Sequence, residues 1–286
     1  GLTFTAALRP CVRQDPGIIM LGEIRGGAAA EMAVRSSLTG HLLFAPIHTN
    51  AAWGAVARLS DMGVHPYLLA DTLEPYLYAN TISFVRNTPE MTAASSIAQA
   101  NSLGGFDFYL ALHSNASGEG QAGKNRGIIV FYYPTSSDGK RAAELFAAQL
   151  RMVYPLPAKV TTQATTTLGE VRRPRYPANL IELGYHDNYD DARWIENNLD
   201  AAAQAIARGL TEYFGLPFIY PQLVRTGVVT TEGSALRLRS YPGIDGETVG
   251  SIPNGESVQV YGSFQGWYSV GYDGRLGYAA QAYIAV

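Results

Sequence analysis

Two apolar runs, each closing on one polar residue and then a turn, constrain this chain more than anything else in it. The first is Phe106-Asp-Phe-Tyr-Leu-Ala-Leu-His113-Ser-Asn-Ala, and the second is Ala178-Asn-Leu-Ile-Glu182-Leu-Gly-Tyr-His-Asp-Asn188. A run of this length and pattern reads as a buried strand that delivers a side chain to the end of a sheet. An imidazole and a carboxylate delivered in this way are parts from which a hydrolytic zinc centre and its general base are made. A hydrogen-bonded core histidine and a salt-bridged glutamate would leave the same pattern. Spacing alone keeps both readings open.

With 286 residues, 47% of them hydrophobic, the chain has material for one large core or two or three small ones. A net charge of -3 with 16% charged residues argues against a nucleic-acid partner, which would need a basic stripe. The single cysteine, Cys11, rules out an internal disulfide without settling the compartment. No apolar run approaches the roughly 18 residues of a membrane span. The opening Gly1-Leu-Thr-Phe has no export signal and starts mid-pattern, as an internal fragment would.

From Leu73 the pattern alternates helix and strand. A helix to about Tyr78 is followed by a strand over 82–86, a helix over 89–101 and the strand over 106–112. A polar, glycine-rich loop over 117–126 leads to Gly127-Ile-Ile-Val-Phe-Tyr-Tyr133, a strand without alternation, as expected of one buried on both faces. Asp138 is placed to cap a helix over 139–153, and the threonine-rich 161–167 reads as a loop. Residues 190–214 read as one long helix with Ile195, Leu199, Ala203, Ile206, Leu210 and Phe214 on one face. This order predicts an α/β fold with a helix-covered, mostly parallel sheet. After a linker at 215–222, period-2 runs and Asn-Gly and Asp-Gly turns predict a small β-barrel.

The stretch from about Leu73 to Pro217 resembles a zinc-dependent N-acetylmuramoyl-L-alanine amidase, of the type that strips stem peptides from bacterial peptidoglycan. Ile82-Ser-Phe-Val-Arg86-Asn is similar to that family's strand ending in arginine, and Ala98-Gln-Ala-Asn101 to the segment before its metal strand. Leu110-Ala-Leu-His113-Ser-Asn115-Ala resembles its histidine motif, and Pro177-Ala-Asn-Leu-Ile-Glu182-Leu-Gly-Tyr185 its catalytic-glutamate strand. The resemblance implies that His113 is a zinc ligand. It implies that Glu182 is the general base, taking the proton of a zinc-activated water and passing it to the leaving amine. It also implies peptidoglycan or muropeptides as partner and a cell-wall or extracellular location.

The family holds its zinc with two histidines and a glutamate, and only one of these three has a recognisable counterpart here. Asp61 and His65 are candidate replacement ligands, with His41 and His48 behind them. His186, four residues after Glu182, reads as a loop residue rather than a ligand. Arg172, Arg173 and Arg175 suit the carboxylates of a stem peptide, and a solvated basic loop fits them equally.

Residues 1–72 follow a different pattern. Asp15-Pro-Gly-Ile-Ile-Met-Leu-Gly22-Glu23-Ile-Arg25 is an apolar strand with an acidic end, and Thr39-Gly-His41-Leu-Leu-Phe-Ala-Pro-Ile-His48-Thr-Asn50 is a second strand. They resemble part of the nucleotide-binding domain of type II secretion and type IV pilus ATPases. Glu23 stands at the family's acidic strand end, and His41 and His48 in its histidine box. This part is expected to be a truncated nucleotide-binding α/β fragment. The phosphate-binding pattern G-x-x-x-x-G-K-[ST] is absent from the sequence, so no nucleotide is expected as cofactor.

At the other end, Ala235-Leu-Arg-Leu-Arg239, Gly266-Trp267-Tyr-Ser-Val270 and Gly277-Tyr278 resemble a bacterial Src-homology-3-like domain. Such a domain implies wall-peptide binding, with Tyr241, Trp267, Tyr272 and Tyr278 as candidates to line a groove and some of them as ordinary core. The expected organisation is a chimera: a secretion-ATPase fragment over 1–72, an amidase-like domain lacking its N-terminal third over 73–217, and the barrel over 223–286. The expected function is an amidase impaired by loss of two zinc ligands. A catalytically dead wall-binding protein and a remnant of a secretion ATPase are the alternatives.

Overall fold

The computed structural model describes residues 18–20, 24, 30, 33, 42–44, 67–88 and 91–286. In chain order its first elements are β1 (Ile18–Met20), β2 (Leu42–Phe44), α1 (Tyr67–Ala79), α2 (Ala93–Leu103), β3 (Tyr109–Asn115), β4 (Ile128–Tyr132) and α3 (Ser137–Val153). Then come β5 (Val160–Ala164), α4 (Gly169–Arg172), β6 (Ala178–Tyr185), α5 (Tyr189–Asn197) and α6 (Leu199–Phe214). The C-terminal part contributes β7 (Arg225–Val229), β8 (Leu236–Arg239), β9 (Thr248–Ile252), β10 (Ser257–Phe264), β11 (Trp267–Tyr272), β12 (Arg275–Ala280) and β13 (Ile284–Ala285). The chain divides into two units. One comprises residues 1–68, 113–126 and 183–197, and the larger comprises 69–112, 127–182 and 198–286.

In the first unit β1 and β2 pair in parallel, Ile18 opposite Leu42 and Met20 opposite Phe44. These are the two N-terminal strands read from the sequence. A parallel pair needs a crossover, and the helical, buried Ala30 and Ala33 lie on the connection.

The central sheet has the strand order β3-β6-β4-β5. Strand β4 pairs with β5 in parallel from Ile128 opposite Val160 to Tyr132 opposite Ala164, and Ile128 and Val130 are fully buried. Helix α3 buries the stripe Ala142, Ala143, Phe146, Ala147 and Leu150. Helix α6 answers with Ala202, Ala205, Ile206, Gly209 and Leu210, of which the alanines and the glycine allow close approach. A Cβ at Gly209 would stand 2.5 Å from Phe146 Cδ1, closer than real contacts come. The buried amide of Asn179 in β6 donates to the carbonyls of Phe131 (2.9 Å) and Gly139 (3.0 Å), tying β6 to β4 and to the start of α3.

Several elements differ from the sequence-based expectation. Residues 82–86 do not form a strand. Arg86 instead reaches back to α1, to Asp71 at 2.7 Å and to Glu74, while the Phe84 ring packs edge-on against Tyr78. Helix α2 starts after Thr92, whose side chain and that of Ser95 form a reciprocal capping box. Strand β3 begins three residues later than the apolar run, because Phe106 and Phe108 are spent on ring contacts with Tyr176, Phe146 and Tyr213.

Ser136, not Asp138, caps α3, with its Oγ accepting the Gly139 N–H at 3.0 Å. The first part of the threonine-rich run, through Ala164, is strand β5, in keeping with the β-branched side chain's preference for a pleated surface, and only 165–167 are loop. The long helix is two, α5 and α6, broken at Asn198 (φ -132, ψ 25).

The C-terminal sheet is antiparallel, in the order β13-β7-β10-β11-β12-β8-β9. One apolar core takes Val229, Leu238, Ile252, Val258, Val260, Val270, Ala279 and Ile284 from all seven strands, so the sheet wraps around a single interior. The β10–β11 and β11–β12 hairpins turn through Gln265-Gly266 and Asp273-Gly274, with positive φ at both central residues as a type I′ turn requires.

The expected linker is docked rather than free. Ile219 is 3% exposed, and Asn80 at the end of α1 meets its backbone as a neighbouring strand would. The Asn80 side chain donates to the Ile219 carbonyl (2.9 Å) and accepts the Ile219 N–H (2.6 Å), and the fully buried Tyr278 hydroxyl donates to the Asn80 carbonyl (3.4 Å). Ala79, Ile219 and Tyr278 form a small core there, flanked by Leu216, Tyr261 and Trp267.

Candidate active site

Strand β3 carries His113 and strand β6 carries Glu182, each as the fifth residue of its strand. Two backbone bonds fix how the strands run. Tyr109 N–H donates to the Pro177 carbonyl at the start, and His186 N–H donates to the Asn115 carbonyl at the finish, both at 2.9 Å. Start meets start and end meets end, so the pair is parallel. Strand β6 is one residue longer than β3, eight against seven, and Gly184 near its end has φ +84.

Beyond the strand ends, the loop after β3 is clamped to the segment after β6. Asp187 accepts the N–H of Ser117 (3.1 Å) and of Gly123 (3.2 Å), and the Asn188 amide donates to the Gly123 carbonyl (2.6 Å). Burial by itself would raise the Asp187 carboxyl. The hydrogen bonds from Ser117 and Gly123 outweigh it and hold the group below the usual carboxylate range. Arg126 bridges Asp190 (2.7 Å) and the fully buried Asp191 (3.0 Å), and Asp191 also accepts the Tyr185 N–H at 3.1 Å. The loop is thereby closed by backbone and charge together.

The sequence places His186 in a loop, and it lies in the turn after β6. It follows β6 directly, and its Nδ1 lies 3.0 Å from Ser114 Oγ, next to His113 in sequence. A lone histidine after a tyrosine carries no sequence signal for such a contact.

The arginines stand elsewhere. Arg172, Arg173 and Arg175 are all exposed and precede the amino end of β6, from which Glu182 is about 13 Å along the strand at roughly 3.3 Å per residue. Asn101 shapes this stretch, donating to the Arg173 carbonyl (3.0 Å) and accepting the Arg175 N–H (2.9 Å). Nearby, the Tyr109 phenol is pushed up to about 12 by burial, with the Glu170 carboxylate adding to the rise.

Of the barrel aromatics, Tyr278 is fully buried and therefore core rather than groove. Trp267 packs beside it, Tyr272 is half-buried against the barrel interior, and Tyr241 is 44% exposed. Glu23, His41, His48, Asp61, His65 and Cys11 lie outside the described residues. Among the described residues no three histidine, cysteine, aspartate or glutamate side chains converge as a metal-ligand set. Those residues on their own do not fit a catalytic zinc, which takes three protein ligands.

Comparison with known proteins finds three families along the chain, the first two overlapping over residues 63–87. Residues 1–87 match the family model of the type II/IV secretion system protein, and residues 234–285 that of the bacterial SH3 domain. Over 72 residues the chain is 53% identical to type II secretion system protein E of Klebsiella pneumoniae and 58% identical to the type II secretion system protein HxcR of Pseudomonas aeruginosa. These stretches are 25% of this chain, and the chain spans only 14% and 15% of those two relatives.

Among solved structures, the catalytic domain of CwlV, an N-acetylmuramoyl-L-alanine amidase from Bacillus (Paenibacillus) polymyxa var. colistinus, aligns at 23% identity and a TM-score of 0.44. It covers 52% of this chain and 82% of that one. The amidase AmiC2 of Nostoc punctiforme aligns at 18% identity and a TM-score of 0.44, covering 51% and 81%. The family model of N-acetylmuramoyl-L-alanine amidase matches residues 63–212, more than half of the chain and the stretch that holds both His113 and Glu182. The chain, a chimera with secretion-system sequence before it and an SH3 domain after it, belongs to the N-acetylmuramoyl-L-alanine amidase family.

Proposed function

We propose that this protein acts on the bacterial cell wall as a peptidoglycan-directed amidase whose hydrolysis of the bond between N-acetylmuramic acid and L-alanine is weak or absent. The observation that carries this reading is the amidase match over 63–212, joined on one chain to the bacterial SH3 match over 234–285. The functional limits we assign are 1–72 for the secretion-ATPase fragment, 73–217 for the amidase-like domain and 223–286 for the barrel. The working location is the cell wall or extracellular space, and the partner is peptidoglycan or its muropeptides.

In this reading Glu182 is the general base. It takes a proton from the attacking water and returns it to the departing amine of L-alanine, a transfer its place on a buried strand suits by keeping the carboxylate's orientation fixed. His113 is the one metal-binding position inherited from the family. The described residues do not complete a ligand set around it, and this is the reason for expecting little turnover.

The test is release of stem peptides from purified muropeptides, followed by mass spectrometry, for the wild type and His113→Ala. Little release from either protein is the expected result. Vigorous release that disappears in His113→Ala would overturn the impairment.

A further inference from the structure

Arg172, Arg173 and Arg175 are exposed, crowded into one short stretch, and have no part in the amidase chemistry proposed above. Among the described residues, their guanidinium groups take no ion pair, hydrogen bond or ring contact. Elsewhere the fold uses its arginines. Arg86 and Arg126 bridge carboxylates, Arg151 and Arg239 donate to backbone carbonyls, and Arg208 lies 3.8 Å over the Phe218 ring. Like charges held close together and unanswered repel one another, a cost that an anion from outside would remove.

The backbone that carries these charges is fixed. Val171 is buried with Ala111 and Leu180 and anchors α4 from below. The Arg173 N–H closes on the Gly169 carbonyl at 2.9 Å, and Pro174 and Pro177 fix φ on either side of Arg175. From α2, the Asn101 side chain holds the Arg173 carbonyl (3.0 Å) and the Arg175 N–H (2.9 Å). Little ordering of the backbone is therefore lost when a surface is bound. Leu103, two residues beyond Asn101 and the last of α2, is 59% exposed. Gly104 and Gly105 (φ +70 and +73) turn the chain there, and Phe106 then meets the ring of Tyr176, the residue after Arg175, edge-on at 5.7 Å.

Unpaired guanidinium groups next to an exposed apolar side chain suit a lipid surface. Phosphate oxygens accept the forked guanidinium donors two at a time. Leu103 gains by leaving water only where the partner offers hydrocarbon, as the acyl boundary of a bilayer does, and a soluble phosphate polymer would leave it wet. A negatively charged leaflet also strengthens binding by about fivefold for each basic residue near it. We propose that the ledge formed by 172–175 and the end of α2 docks reversibly on a membrane rich in anionic phospholipid headgroups. The proposal is independent of the wall-directed reading, since the ledge precedes the amino end of β6, away from Glu182, and its partner is not peptidoglycan.

The experiment is co-sedimentation of the full chain with vesicles of phosphatidylcholine alone, and of phosphatidylcholine and phosphatidylglycerol in about equal parts. The variants are the triple Arg172→Gln/Arg173→Gln/Arg175→Gln and the single Leu103→Ser, with melting curves to check that they fold. Arg225→Gln/Arg237→Gln, which removes exposed charge from the barrel, is the control, and a parallel titration uses soluble polyphosphate. Binding to the anionic vesicles and not to the neutral ones is expected, weakened about a hundredfold in the triple variant and about threefold or more in Leu103→Ser. The barrel variant should bind as the wild type does. Failure to bind the anionic vesicles overturns the proposal, as does equal binding to both kinds, undiminished binding by the triple variant or a comparable loss in the barrel variant. Polyphosphate bound as tightly as vesicles, with Leu103→Ser unaffected in both assays, overturns it too by assigning the ledge to a phosphate polymer.

Discussion

The C-terminal sheet joins β8 to β9, β10 to β11 and β11 to β12 as consecutive antiparallel strands and closes with the longer-range pairs β7–β13 and β8–β12, whereas the central sheet sets β3 beside β6 and pairs β4 with β5 in parallel across a helix. In the barrel, β10, β11 and β12 follow one another through tight turns, so each of these pairings is local. In the central sheet β3 lies beside β6, with β4, α3, β5 and α4 between them in sequence. Local pairing ties a strand's limits to the turn beside it. Distant pairing leaves those limits to whatever arrives from elsewhere, and the order of elements then says more than their ends do.

The largest test of this contrast is Phe146→Ala. The ring is fully buried between α3 and Gly209 of α6, so its loss should destabilise the central domain by about 3–5 kcal/mol in chemical denaturation. Amide exchange should then rise across β4 and α3 while the β10–β11 amides stay protected. Equal deprotection of both sheets would break the comparison and make them one cooperative body.

Asn80→Ala comes next. It leaves the Ile219 N–H and carbonyl buried without their partner, at a cost of about 1–3 kcal/mol. Proteolysis within 215–224 should quicken markedly, and an unchanged rate would show that the docking does not depend on the amide.

The smallest effect is a pH slope. Because the Tyr109 phenol is held up to about 12 in the fold, the stability it contributes is complete below its ordinary value near 10 and fades as pH rises towards 12. Tyr109→Phe should therefore lose stability less steeply than the wild type between about pH 10 and 12, read from urea midpoints. Parallel slopes would remove Tyr109 from the account.

The sequence made the same contrast visible in advance. Alternation and Asn-Gly and Asp-Gly turns were enough to announce a barrel of short strands, because each signal sits beside the hairpin it determines, whereas β7 and β13, which pair across the length of the domain, carried no such signal. In the central sheet the apolar run from Phe106 promised a strand that starts at Tyr109, since Phe106 and Phe108 are apolar for the sake of Tyr176, Phe146 and Tyr213. The threonines of β5 looked like a loop because their pairing with β4 is set across α3.

For the candidate site, His113 and Glu182 stood out as single polar residues closing apolar runs, and both lie in strands. Asn80, Asn179 and His186 were not legible. An isolated polar residue has no periodicity, and its worth depends on which backbone or hydroxyl comes to meet it. Tyr278 shows the converse: an aromatic beside a glycine suggested a binding surface, and the fold uses it as interior.

Helix α1 has a mechanical consequence. It lies in the stretch, residues 63–87, that both the secretion-system and the amidase family models claim. A barrel fastened to a stretched wall would be under tension, and the covalent path to it runs through residues 215–224. Asn80 supplies a shorter path, because its two bonds to Ile219 are loaded together and divert pull from the connecting segment into α1 before that segment can lengthen. The residue that ends the helix at the seam of the two family matches thus couples the connecting segment directly to α1.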